Sequence, residues 1–213
     1  MKKTILLLCC AGVLFIALAA QNTPGATGAA SHPQQQQGHV SHFSLNVRQL
    51  ARINQLDCGQ YASQSECNTW AYSACSTAAL AEVFNYYGHS YHIHDVLVVQ
   101  ARVDAITPAL GLTEDAGIAR TAAQFGFQTN WGYNLSYDQV IATANQGKPV
   151  IVSWPPYRYD GGHLVVVIGG NSRTVQIADS SRYDRSSVSR AQFMQWWAGF
   201  SAIVTPAAKG GQP

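Results

Sequence analysis

Charge is scarce in this 213-residue chain: Asp, Glu, Lys and Arg make up 11% of it, against 47% hydrophobic and 10% aromatic residues. Disordered chains show the opposite balance, so a largely unfolded protein is excluded. No block or stripe of basic residues occurs. Lys2 and Lys3 account for the whole formal charge of +2, and the rest of the chain is balanced between signs. Nucleic-acid binding therefore has no electrostatic basis. Internal repeats are missing. The one long apolar run, ILLLCCAGVLFIALAA from Ile5 to Ala20, is short of the roughly 20 residues that a permanent membrane span needs.

That run follows Lys2 and Lys3 and ends in small residues, with Ala17-Leu18-Ala19 and Leu18-Ala19-Ala20 as possible cleavage sites. This is the pattern of a secretory signal peptide over 1–20, so a secreted or extracytoplasmic location is expected, with membrane contact only through this segment. Cys9 and Cys10 lack a preceding small residue and lie early in the run, so lipidation is not expected. Residues 21–42 are rich in Gln, Gly, Ala, Ser and Pro and contain no large apolar residue except Val40. Such a stretch cannot bury enough surface to offset its ordering entropy and is expected to be a flexible spacer. A domain over 43–207 and a loose tail over 208–213 complete the expected organisation.

Three cysteines follow the signal: Cys58, Cys67 and Cys75. An exported protein keeps its disulfides, and an odd count leaves one thiol over. Cys58 and Cys67 flank a polar, loop-like stretch and are the natural pair. Cys75 then remains free. A free cysteine is commonly a small buried hydrophobe, but its surroundings argue for more.

From Cys75 the chain reads CSTAALAEVFNYYG, with Leu80, Val83, Phe84 and Tyr87 on one helical face and Gly88 at the position of a C-terminal cap. Ser73 is a candidate N-terminal cap. Cys75 thus falls in the first turn of a helix, where unpaired N–H groups and the positive end of the dipole favour a thiolate. The same groups can face a developing oxyanion.

A nucleophilic thiol needs a base. His89, His92 and His94 crowd the turn GHSYHIHD, and with Asp95 they lack the spacing of an established metal site, so no metal or cofactor is expected. His163 opens GGHLVVVIGG, and after the turn from Gly169 to Ser172 comes TVQIADSS, the second strand of a hairpin. His163 at the start of one strand and Asp179 at the end of the next lie at the same end of the ladder. Asp179 can therefore orient the imidazole.

The segments NVRQLARINQLD, YSACSTAALAEVFNYYG, QGKPVIVSW, GGHLVVVIGG and VQIADSS together resemble the bacteriocin-processing peptidases that remove double-glycine leaders. The resemblance covers about 45–207 and implies a papain-like fold with Cys75 as nucleophile, His163 as base and Asp179 as orienting residue. Many relatives carry Gly directly after the cysteine, where this chain has Ser76. The family's oxyanion glutamine matches Gln55 best, with Gln60, Gln64 and, more remotely, Asn68 as rivals.

Helices are expected over 75–87, 94–103 and 114–125, and capping boxes at Ser136–Gln139 and Ser189–Gln192 open two more. Strands are expected over 127–130, 149–154, 163–168, 174–178 and 202–205. The order is that of an α+β fold, N-terminal helices packed on a C-terminal antiparallel sheet. The loop WPPYRYDGG before His163 is a candidate wall for a peptide cleft or a stiffened surface loop. The expected activity is hydrolysis of peptide bonds in a peptide or protein substrate by a monomer. A cell-wall peptide amidase with the same triad and a non-catalytic peptide-binding module are the alternatives.

Overall fold

The computed structural model describes residues 49–208. The expected signal segment, the spacer and nearly all of the tail lie outside them. Helices α1 (Gln64–Trp70), α2 (Cys75–Tyr86) and α3 (Ile93–Arg102) come first. A short antiparallel pair, β1 (Ile106–Thr107) and β2 (Gly111–Leu112), leads into α4 (Ala116–Gln124). Then follow β3 (Phe127–Gly132), α5 (Tyr137–Asn145), β4 (Val150–Trp154), β5 (His163–Gly170), β6 (Thr174–Ala178), β7 (Ser187–Ser189), α6 (Arg190–Trp196) and β8 (Ser201–Pro206). Six strands form one antiparallel sheet in the order β3-β8-β4-β5-β6-β7. The expected α+β class and the papain-like order of helices before sheet are both present.

The pleat of the sheet divides its side chains between two layers. Ile151, Leu164, Val166, Ala178, Ala202 and Val204 pack with Leu80, Phe84, Ile93 and Ile118 of the N-terminal helices. Their alternates Val150, Val152, Val165, Val167, Val175 and Ile177 pack with Val140 of α5 and Phe193 of α6. Because both faces of β4 and β5 are covered, these strands read as continuous apolar runs instead of alternating ones. Helix α2 is likewise buried along nine of its twelve residues, on more sides than the one apolar face that its periodicity marks.

Three local expectations are corrected. The stretch around Cys58 and Cys67 is not a loop throughout: a 3-10 turn spans Cys58–Gln60 and α1 starts at Gln64. The Ser63 side chain accepts the Glu66 N–H, and Glu66 in return accepts the N–H of the preceding Ala62 at 2.7 Å, so Ser63 and Glu66 together start the helix. Ser73 does not cap α2; its hydroxyl donates to the Trp70 carbonyl, and Ala74 holds the cap position. Finally, β5 continues through both of its terminal glycines, with a bulge between Val167 and Gly169. At Gly170 an added Cβ would meet the Thr174 carbonyl oxygen at 2.5 Å, so only glycine fits this close crossing. The turn is built beyond it by Asn171, whose side-chain oxygen accepts the N–H groups of Arg173 and Thr174.

Candidate active site

Cys75 is the first residue of α2, and the Ala74 carbonyl before it accepts the Ala78 N–H at 2.9 Å. The N–H groups of this first turn have no partner inside the helix and are available to an anion. The following Ser76 is fully buried, and its hydroxyl accepts a bond from Gln100 Nε2 at 3.0 Å, while Thr77 donates to Gln100 Oε1 at 2.6 Å. Gln100 on α3 thus satisfies both hydroxyls of the turn behind the cysteine, which is how a buried serine fits at this position. Cys58 and Cys67 form a disulfide, as expected, and Cys75 is the free cysteine among the described residues.

His163 opens β5, where it pairs in register with Trp154 at the end of β4. The imidazole is only 6% exposed, and the rings of Trp154 and Tyr159 lie with centroids 6.0 and 6.2 Å from its own. Its Nε2–H donates to Asp179 Oδ1 at 2.8 Å. Asp179, immediately after β6, is fully buried and holds four further donors. The Ser181 N–H reaches Oδ1 at 3.0 Å, and the Arg185 Nη1 and backbone N–H reach Oδ2 at 3.0 and 3.4 Å. The Arg52 guanidinium donates to the Asp179 backbone carbonyl and, at 2.6 Å, to that of Ser181.

These contacts set the proton affinities. Burial pushes the Cys75 thiol up, but hydrogen bonding and charge from His163, with the N–H groups of Leu164 and Ser76, bring it below the ordinary thiol value. Burial pushes His163 down, yet hydrogen bonds to Asp179 and Cys75 and their charges lift it to about 9. For Asp179, burial works upward and is outweighed by His163 and Ser181, which hold the carboxyl well below the usual carboxylate range. The arrangement favours a thiolate beside an imidazolium beside a carboxylate.

Gln55 is buried and is stitched to both halves of the site. Its backbone N–H donates to the Ser180 carbonyl at 2.9 Å, its side-chain oxygen accepts the Ser180 hydroxyl at 2.9 Å, and its side-chain amide donates to the Ala71 carbonyl at 2.8 Å. Ser180 adjoins Asp179, and Ala71 lies on the turn that leads to Cys75. Of the rivals, Gln64 and Asn68 are exposed and hydrogen-bonded to each other, and among the described residues the Gln60 N–H donates to the Asp57 carbonyl, away from the site.

The loop before His163 is exposed over most of its length, from Pro156 to Arg158 and at Asp160 and Gly161, with Tyr159 half-buried. Trp154 is fully buried, Tyr159 stacks over His163, and Arg158 donates to the Trp197 carbonyl at 2.7 Å, leaving Tyr157 pointing outward at 78% exposure. Of the two readings of this loop, cleft wall or stiffened surface loop, its exposure fits the second, and Tyr159 is the loop residue that stacks on the imidazole. His92 and His94 serve the fold: the His92 N–H donates to Asp95, and His94 Nδ1 lies 2.9 Å from Glu66. Among the described residues, no group of three or more His, Cys, Asp or Glu side chains is placed to hold a metal. Arg185, Arg52 and the buried Glu82 were not expected at the site. For Arg185 the only signal was the crowding of Arg182, Asp184 and Arg185 directly after Asp179; for the other two no local pattern pointed there.

A model of the Peptidase_C39 like family matches residues 45–204. Among solved structures, the chain is similar to the peptidase domain of Streptococcus ComA, a bi-functional ABC transporter involved in a quorum-sensing pathway. The TM-score is 0.53 at 24% identity, covering 63% of this chain and 92% of that one. It is also similar to a Bacillus anthracis protein named for its likeness to C39 peptidases, with a TM-score of 0.52 at 14% identity, covering 76% of this chain and 97% of that one. At these identities the likeness is one of fold. No curated protein sequence matches the chain.

Proposed function

The chain belongs to the peptidase C39-like family, and from that premise we propose that it is a cysteine peptidase that cleaves peptide bonds through an acyl-enzyme on Cys75. The observation that carries this reading is the buried 2.8 Å contact of His163 Nε2 with Asp179. That contact leaves the other ring nitrogen for the thiol whose proton affinity His163 lowers.

The Cys75 proton passes to His163, and the thiolate attacks the substrate carbonyl carbon. The oxygen of the tetrahedral intermediate is met by the first-turn N–H of Cys75 and by the Gln55 amide. His163 then gives its proton to the leaving amine, and a water, deprotonated by His163, releases the acyl group and restores the thiol. Asp179 keeps the ring in the productive tautomer and stabilises its charge.

The domain acts on peptide or protein substrates as a monomer outside the cytoplasm. This location is supported by the signal-like N-terminal run and by the Cys58–Cys67 disulfide, a bond that persists in oxidising compartments. The test is hydrolysis of fluorogenic casein and of purified cell-wall stem peptides by the wild type and by Cys75→Ala. Loss of all hydrolysis in Cys75→Ala is expected, and the substrate cleaved separates a general peptidase from a wall amidase. Hydrolysis that survives Cys75→Ala would rule the mechanism out, and a wild type inert toward both would favour a peptide-binding module.

A further inference from the structure

Two carboxyl groups are fully buried among the described residues, Asp179 and Glu82. Asp179 is accounted for by His163 and Arg185. Glu82 lies on α2 seven residues beyond Cys75, two turns along the same face. It is 1% exposed and, among the described residues, has no cation within ion-pair distance. An unpaired carboxylate in such a place costs far more than a neutral, hydrogen-bonded carboxylic acid. Burial accordingly pushes Glu82 up to about 8, opposed by the Ile53 N–H and by the charges of Arg52 and His163, and reinforced by that of Asp179.

The bond Glu82 makes explains its place. Its Oε1 accepts the backbone N–H of Ile53 at 2.8 Å. On one side of Ile53, Arg52 clamps the carbonyls of Asp179 and Ser181 and pairs with Asp184 at 2.8 Å. On the other side, Gln55 binds Ser180 and Ala71. Residues 52–55 are therefore a strap running from the core helix that carries the thiol to the turn that carries the orienting carboxylate. The Glu82–Ile53 bond pins that strap to α2.

We propose that Glu82 is a positioning residue of the active site, holding the Arg52–Gln55 strap against α2 so that the Gln55 amide is kept in register with Cys75. The proposal rests on the peptidase reading above. It requires only an acceptor oxygen at the end of the side chain, not a charge.

The test measures binding of acetyl-Leu-Leu-norleucinal, whose adduct with a thiolate places an oxygen where the Gln55 amide is offered. Glu82→Met keeps the volume and removes the acceptor, and it is expected to weaken binding by about tenfold, the scale of one hydrogen bond in a buried site. Glu82→Gln keeps the acceptor and is expected to bind within about twofold of the wild type, well inside that scale. In a Gln55→Ala background, Glu82→Met is expected to have no further effect, because the two act through one group. A purely structural role would instead lower the unfolding midpoint and leave the two effects multiplicative. Should Glu82→Met not fold, Glu82→Asp, which withdraws the acceptor by one methylene, is expected to show the same loss. Binding unchanged in Glu82→Met or Glu82→Asp, full multiplicativity with Gln55→Ala, or loss in Glu82→Gln equal to that in Glu82→Met would each overturn the proposal. Absence of any Cys75-dependent adduct in the wild type would overturn the peptidase reading instead.

Discussion

Arg185 Nη1 lies 3.0 Å from Asp179 Oδ2, the carboxylate oxygen that His163 does not use. Each oxygen of the orienting carboxylate thus has a cationic partner. The same guanidinium stacks over Tyr183, with its carbon 4.2 Å from the ring centroid, and donates to the Tyr159 hydroxyl at 3.1 Å. Tyr159 in turn lies over His163. Arg185→Met should leave Asp179 Oδ2 with only the long backbone N–H bond from residue 185, removing its cationic partner, and loosen the cover on the imidazole. A stability loss of about 1–3 kcal/mol is expected, seen as a lower denaturant midpoint at unchanged slope. The activity should fall and its alkaline limb should move up, because Asp179, relieved of Arg185, binds the imidazolium more strongly. An unchanged limb would mean that Arg185 does not act on the catalytic charge.

The pH dependence follows from the two shifted partners. His163 is raised to about 9, so its contribution to the fold is fully present below its unfolded value of about 6.5 and is lost as pH rises through about 9. Asp179 is depressed, so its contribution is present above the ordinary carboxylate value and is lost as pH falls through its folded value. Hydrolysis should be bell-shaped, with the alkaline limb near 9 and the acid limb below the ordinary thiol range. A profile that rises only as the ordinary thiol ionises, near about pH 8.5, would contradict the ion pair.

Glu82 has the opposite sign. Its folded value of about 8 exceeds the unfolded one, so the native state holds a proton that the unfolded chain has released, and stability falls as pH rises between about 4.3 and 8. Thermal melts of Glu82→Gln should lack this decline. The variant should therefore gain on the wild type by several degrees toward alkaline pH, at roughly 2–4 °C per kcal/mol. Parallel pH curves for the two proteins would show that Glu82 is ionised in the fold.

The Cys58–Cys67 bridge closes a short loop, with a sequence separation of 9, between the strap and α1. Loop-closure entropy puts its contribution at about 2–3 kcal/mol. The double replacement Cys58→Ser and Cys67→Ser should lower the melting temperature by roughly 4–12 °C. Calorimetry in the absence of reductant checks it, and no change would show that packing alone holds the segment.

The parts of the site that sequence made legible are those written in local chemistry. The capping box Ser136–Gln139 and the cap Ser189–Gln192 open α5 and α6 as their side chains dictate. The apolar runs around β5 and β6 mark the hairpin that carries His163 and Asp179 at one end. Other parts were hidden because their causes are distant. Arg52 meets the Asp179 turn across 127 positions, and Gln55 meets Ser180 across 125. No periodicity records such pairs. Glu82 was hidden for a different reason: within an apolar helical pattern a lone Glu reads as the solvent side, and only the covering of α2 on nearly all sides shows that it is buried. The start of α1 is written in Ser63 and Glu66, inside a polar stretch flanked by two cysteines that otherwise has the composition of a loop.

The central claim is that Cys75 is a thiolate held by His163, and the rate of its alkylation by iodoacetamide as a function of pH tests this most directly. In the wild type the rate should rise at a pH below the ordinary thiol value, and His163→Ala, which removes the hydrogen bond and charge that lower the thiol, should move the rise up. A wild-type thiol that reacts only near its ordinary value, indistinguishable from His163→Ala, would contradict the account.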